Sequence, residues 1–196
     1  MAIYTQRYGD WLRIIAPEEF NDDELFRIVV FFVFHSPCKN TSAMRKTLSE
    51  YNWNTPWRKP YYLNKQLKEA SSNSELLFSA DTYDNLESAL EQSNLLDDFP
   101  NQLTIERLAF HDSEKNQFMS VFKHIRNSFS HGRLNIFNVD GECVFAFEDV
   151  VPKNNTNQLK ISARMIIKKS TLLNWIDIIE GGEIEYGENN KQLLDS

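Results

Sequence analysis

The sequence predicts a mainly α fold: a helical bundle carrying a small antiparallel β-element, a hairpin extended to three strands, directly after its best-marked helix. Three observations carry this. Phe118, Val121, Phe122, Ile125 and Phe129 fall at i, i+3, i+4, i+7 and i+11, which is one face of a helix. After Gly132 the spacing shortens toward that of strands: Leu134, Ile136 and Val139, a turn at Asp140-Gly141, then Val144, Phe145 and Phe147, with Leu159, Ile161, Ala163 and Met165 alternating as a third run. Most other apolar stretches open on helix-capping residues. With 41% hydrophobic and 13% aromatic residues among 196, the chain can bury a sizeable core.

Taken in order, residues 1–16 lack clean periodicity and suit a short strand or an arm. Asn21-Asp22-Asp23-Glu24 offers a cap and an acidic first turn for a helix over Leu25 to Phe34, stopped by Ser36-Pro37. Thr41 or Ser42 caps a second helix through about Tyr51. Trp53, Pro56, Trp57 and Pro60 form a connection to a third helix from about Tyr61 to Ala70, and Ser71 to Ser74 a loop. Asp81 or Thr82 opens a helix through about Leu95, closed by Asp97 to Pro100. Ser113-Glu114-Lys115-Asn116 caps the helix containing Phe118 to Phe129, and Gly132 ends it. Residues 151–157 are a polar loop. Ser170 or Thr171 caps a last helix through Ile179, ended by Gly181-Gly182, and an acidic tail follows from Glu183.

The formal net charge of −7 opposes a general nucleic-acid coat, which needs clustered Lys and Arg, but allows a small basic cleft built from Lys123, Arg126, Arg133, Arg164, Lys168 and Lys169. Cys38 and Cys143 are the only cysteines, without CxxC or Cys/His ligand spacing, so neither structural zinc nor a disulfide framework is expected. No P-loop, glycine-rich nucleotide fingerprint or serine-nucleophile elbow is present, and no cofactor is expected. The N-terminus lacks signal-peptide regions, and the apolar run from Leu25 to Phe34 falls far short of the ~20 residues of a membrane span. A cytoplasmic, reduced protein is expected.

Chemistry concentrates in Phe122-Lys123-His124-Ile125-Arg126-Asn127-Ser128-Phe129-Ser130-His131-Gly132-Arg133. At about 100° per residue, Ser120, His124, Asn127 and His131 gather opposite the aromatic face, with Arg126 on one flank, so these groups are expected to point outward. Histidine transfers protons near neutrality, arginine offers a fixed fork of donors to phosphate, and an amide can orient a hydroxyl or an imidazole. Those groups suffice for metal-independent RNA cleavage, with a base on the ribose 2′-hydroxyl and a cation on the phosphorus centre. Spacing alone equally suits an ordinary helix end, where His and Arg favour the macrodipole.

The string Ile-Arg-Asn-Ser-Phe-Ser-His-Gly-Arg resembles the signature of the HEPN superfamily, the "higher eukaryotes and prokaryotes nucleotide-binding" helical domains: an arginine, usually followed by Asn, Asp or His, and a histidine a few residues on. Arg126, Asn127 and His131 match these positions. The downstream run through the C-terminal helix is similar to a plasmid- and prophage-borne HEPN branch, over roughly residues 113–181. The first hundred residues carry no such signature, and the chain is read as one HEPN-like domain over 1–196, with an N-terminal helical extension (1–75), a bundle with the motif helix and β-element (76–182) and an acidic tail (183–196). The resemblance implies a metal-independent endoribonuclease, a toxin or phage-defence effector, in which two protomers join their motif helices into one composite site. Arg126, Asn127 and His131 would be catalytic, and Lys123, His124, Ser128, Ser130 and Arg133 would meet substrate. RNA, a second copy of the chain and a cognate antitoxin or regulatory protein are the implied partners. Members silenced by a nucleotidyltransferase antitoxin often carry a tyrosine two residues after the histidine; Arg133 stands there, so that control is not implied.

Two other readings stay open. Many members of the superfamily are non-catalytic, which leaves a nucleotide- or protein-binding module. The short N-terminal helices, with Arg45, Lys46, Arg58, Lys59, Lys65 and Lys68, also suit a helix-turn-helix DNA-binding regulator. The two tryptophans beside them suit core positions, and His35 and His111 suit caps or the surface.

Overall fold

Two long strands, not the bundle, organise this molecule. The computed structural model describes residues 4–6, 12, 23–38, 41–56, 62–71, 77–96, 103–114, 116–152 and 158–194. The elements are β1 (Tyr4–Gln6), α1 (Asp23–Val30) with a π-helical continuation (Phe31–His35), a 3₁₀ turn (Leu48–Tyr51), α2 (Tyr62–Glu69), β2 (Leu77–Ala80), α3 (Tyr83–Gln92), β3 (Arg107–His111), α4 (Gln117–His131), β4 (Leu134–Val139), β5 (Glu142–Pro152), β6 (Gln158–Lys168) and α5 (Lys169–Leu194). The expectations for Asn21-Asp22, Trp57, Pro60, the loops at 72–74 and 153–157, Asp97 to Pro100, and most of the N-terminal arm lie outside the described residues.

The sheet runs β2-β3-β6-β5-β4, with β1 added on β6. All pairings are antiparallel except β2 with β3, which α3 joins in parallel. This overturns the expectation of a mainly helical bundle with a small β-element: the fold is a mixed six-stranded sheet with helices on both faces. The hairpin and third strand form as expected around Asp140-Gly141, but β5 and β6 each extend to 11 residues. The physical reason is burial on two sides. Residues 144–149 of β5 and 161–167 of β6 are all buried, so their continuation shows no alternation to read. In β3 the buried Leu108-Ala109-Phe110 run is equally featureless, and β2 is only four residues long.

One face of the sheet presents Phe110, Phe145, Phe147, Met165 and Ile167 to α1, α2, α4 and α5, and the other presents Ala109, Val144, Ala146 and Ile166 to α3. The first core draws Leu25, Ile28, Phe31, Trp53 and Leu63 from the N-terminal third. Two buried tryptophans bind it across long sequence distances: Trp53 Nε1 donates to the Ile179 carbonyl at 3.0 Å, and Trp175 Nε1 to that of Leu67 at 2.8 Å.

The expected helix from Thr41 to Tyr51 does not form. Arg45 adopts a positive φ of 53°, Ala43 and Met44 bond through their amides to the Val33 and Phe34 carbonyls, and only a 3₁₀ turn follows, in a capping box of Thr47 and Glu50. A helix-turn-helix therefore lacks its middle helix.

The double glycine interrupts α5 as expected, yet the helical run resumes to Leu194. Gly182 has φ 75° and ψ 179°, a region open essentially to glycine alone, and a Cβ there would lie 2.7 Å from the Tyr51 carbonyl oxygen. Glu183 then accepts from the Asn54 and Thr55 amides and the Thr55 hydroxyl. Gly182→Ala is expected to cost about 1–3 kcal/mol or more in urea unfolding, from strain and the clash together; an unchanged midpoint would contradict this packing.

Candidate functional site

Helix α4 starts where Asn116 Oδ1 accepts from the amides of Phe118 and Met119, and ends where Gly132 turns left-handed at φ 62°. Its aromatic face turns into the core, with Phe118 and Phe122 buried and Phe129 partly so. Phe122 meets Phe32 edge-on at 5.4 Å and Trp175 at 5.8 Å, while Phe129 meets Phe147 at 5.3 Å.

The opposite side does not point outward as expected. Ser120, His124 and Ser128 are buried as well, because α4 lies against the end of β3 and against β5. Ser120 Oγ donates to Asp112 Oδ1 at 2.6 Å and accepts from the Glu114 amide. Ser128 Oγ donates back to the His124 carbonyl at 2.9 Å. His124, 2% exposed, has an acceptor at each ring nitrogen: Nε2 lies 2.8 Å from the His111 carbonyl and Nδ1 2.6 Å from Asp149 Oδ2. A carbonyl can only accept, so Nε2 carries a proton. Asp149 Oδ2 also accepts from Asn127 Nδ2 at 3.1 Å. Asn127 Oδ1 in turn accepts from Arg126 Nη1 at 3.2 Å.

Lys123, Arg126 and Ser130, at i, i+3 and i+7, share a flank between the two buried sides. Lys123 and Arg126 are half-buried, whereas Ser130 and His131 are exposed in the last turn. The cations drawn into the expected basic cleft are mostly matched to acids. Lys123 pairs with Glu114, Lys168 with Glu142, and Lys169 with Glu24. Arg133 and Arg164 both pair with Glu148, which is fully buried on the α3 face of the sheet, and Arg164 also donates to the Leu95 and Leu96 carbonyls. Arg126 differs from these five: among the described residues it has no carboxylate partner, and its Nε is buried without an acceptor.

The structure thus joins Arg126, Asn127 and His124 in one hydrogen-bonded chain, and leaves His131 and Ser130 at the open end of the helix without side-chain partners among the described residues. It sets Ser128 and Arg133 into packing on either side. Asp149 was missed by sequence reasoning. The available signal was two consecutive acids, Glu148-Asp149, continuing the apolar Val144 to Phe147 run, since buried carboxylates require partners. Beside these contacts, the His111 ring stacks on the Tyr83 ring at 4.1 Å, and Lys160 Nζ sits 3.3 Å from the centroid of the Tyr83 ring. Burial holds the His111 imidazole below its usual range, and the positive charges at His124 and Lys160 add to this. Among the described residues no group of three or more His, Cys, Asp or Glu is arranged to hold a metal ion, and no helix is long and apolar enough to cross a membrane.

These placements separate the two histidines of α4. His131→Ala is expected to change stability by no more than about 0.5 kcal/mol, as for an exposed residue. His124→Ala, which strands the buried Asp149, is expected to cost about 3–5 kcal/mol. Urea denaturation of both variants checks the contrast, and equal losses would contradict it.

No curated protein matches this sequence, and neither does a solved structure. A protein-family model does: the one described as HEPN pEK499 p136 matches residues 34–181, most of the chain, including the whole of α4, the β4–β6 meander and α5 up to its glycine break. The residues it spans include Arg126, Asn127 and His131, and the chain accordingly belongs to this HEPN family.

Proposed function

We propose that this chain is a metal-independent endoribonuclease, a cytoplasmic toxin or phage-defence effector that cuts RNA as a homodimer. The observation that carries the reading is the condition of Arg126. Its neighbouring cations are spent on carboxylates, while among the described residues its guanidinium is held by a single neutral amide and keeps its charge for an external anion. His131, exposed and unpartnered among the described residues, stands five positions on, about 7.5 Å along the helix axis.

In this reading His131 removes the proton of a ribose 2′-hydroxyl, and the 2′-oxygen attacks the adjacent phosphorus. Arg126 stabilises the charge that gathers on the phosphoryl oxygens. The bond to the 5′-oxygen breaks, and that oxygen takes a proton from an acid, the second copy of His131 in a dimer that joins two α4 helices. The products are a 2′,3′-cyclic phosphate and a 5′-hydroxyl. Membership of a HEPN family supports nuclease or nucleotide-binding work at this helix.

A second reading, a nucleotide-binding module without cleavage, draws support from the charge balance. At −7, with the cations around α4 mostly matched to acids, the surface suits a compact phosphate ligand better than a long strand.

His131→Ala is expected to lower RNA cleavage by about two to four orders of magnitude. Arg126→Ala should lose a comparable amount, Arg126→Lys should not fully recover it, and Asn127→Ala should be milder. Cleavage should persist in excess EDTA, leave cyclic phosphate ends, and come from a species of twice the chain mass by light scattering. Unchanged cleavage by folded His131→Ala would overturn the mechanism. Nucleotide binding lost in Arg126→Ala, from a protein that cuts nothing, would establish the second reading instead.

A further inference from the structure

We infer that Asp149 is a positioning residue for Arg126, acting through Asn127, and that the buried His124–Asp149 pair holds that amide in one orientation. The inference rests on Arg126 being the phosphate-binding group. Neither member of the pair can touch substrate, since His124 is 2% and Asp149 3% exposed. What they can do is decide which end of the Asn127 amide faces which neighbour.

Asn127 sits between a cation and an anion. With Nδ2 donating to Asp149 Oδ2, its Oδ1 is turned to accept from Arg126 Nη1. The opposite rotation would set the carbonyl against the carboxylate and the NH₂ against the guanidinium, two repulsions in place of two hydrogen bonds. Asp149 is itself held by His124 at 2.6 Å, and His124 by the His111 carbonyl at 2.8 Å. The chain of contacts therefore runs from the backbone of β3, through α4 and β5, and back to the one cation of the site that has no carboxylate partner among the described residues.

A pair that merely anchors α4 to the sheet would stabilise the helix and leave Arg126 indifferent to it. The two roles separate in Asp149→Asn, which conserves shape. There the new NH₂ can donate to an unprotonated His124 Nδ1, and in doing so it meets the NH₂ of Asn127. The Asn127 amide turns over and sets its donors against Arg126.

The test follows the Arg126 Nε–H resonance by nitrogen-15 NMR, assigned by its loss in Arg126→Lys, in the wild type, Asp149→Asn, Asn127→Ala and the double variant. The wild-type signal is expected to be resolved and slowly exchanging, and each single change to broaden or shift it. Asp149→Asn should add nothing once Asn127 is alanine. In the same samples kcat for RNA cleavage should fall about ten- to hundredfold in Asp149→Asn, with KM little altered. An unmoved Arg126 signal with wild-type kcat in folded Asp149→Asn would overturn the inference and leave the nuclease standing. An ordered Arg126 that loosens in the variants, in a protein that cleaves no RNA, would support the relay while removing the nuclease reading. Should Asp149→Asn not fold, the wild type still decides: freely exchanging Arg126 Nε and Asn127 Nδ2 protons would overturn the relay, and protected ones would support it.

Discussion

Helix α4 is buried on two sides, and much of the molecule is arranged to make that tolerable. Its aromatic side packs into the Phe32–Phe122–Trp175 cluster, which joins the N-terminal third to the last helix. Its polar side carries Ser120, His124 and Ser128 into the interior, where each unmet donor or acceptor would cost about 1–3 kcal/mol. Every one of the three finds a partner, in the loop after β3, in the His111 carbonyl, in β5 or in the helix itself. These directional contacts set the rotation of α4 about its axis more sharply than its aromatic face does, since apolar contact has no preferred angle. The flank left over is the one carrying Lys123, Arg126 and Ser130.

Two neighbouring acids on β5 serve the two faces of the sheet. Successive side chains of a strand point to opposite sides, so Glu148 turns toward Arg133 and Arg164, and Asp149 toward His124 and Asn127. Arg164 extends the first cluster to the Leu95 and Leu96 carbonyls in the segment after α3, so the side chain that pairs with Glu148 also ties that segment to the sheet. The register irregularity just after Asp149 ends this stretch of regular pairing. A chain of net charge −7 thus uses its carboxylates to neutralise most cations near α4, and among the described residues the exception is Arg126.

Local signals were legible where one side of an element faces water or a cap has to form. The Asn116 cap, the Gly132 exit, the Asp140-Gly141 turn, the Thr82 cap of α3 and the glycine break at Gly182 all follow from backbone groups that need a particular neighbour or a particular φ. The motif at Arg126, Asn127 and His131 was legible for a related reason: its chemistry lies in residue types close together on one helix.

By itself, then, the sequence determined the position and limits of α4, the hairpin after it, and the family through the Arg126-Asn127 and His131 string. The tertiary structure decided the rest. β2 and β3 are strands only because a parallel pairing and a neighbour in β6 complete their hydrogen bonds, and β3, buried on both faces, shows no period for a reader of sequence to find. The Thr41 to Tyr51 stretch loses its helix to hydrogen bonds with the π-helical segment that precedes it. Asp149 reaches Asn127 across 22 positions, and the His111 carbonyl reaches His124 across 13, contacts that exist only after the sheet has formed. A periodic pattern records which side of an element avoids water, and it carries no information about which distant group will satisfy a polar atom on the side that is buried as well.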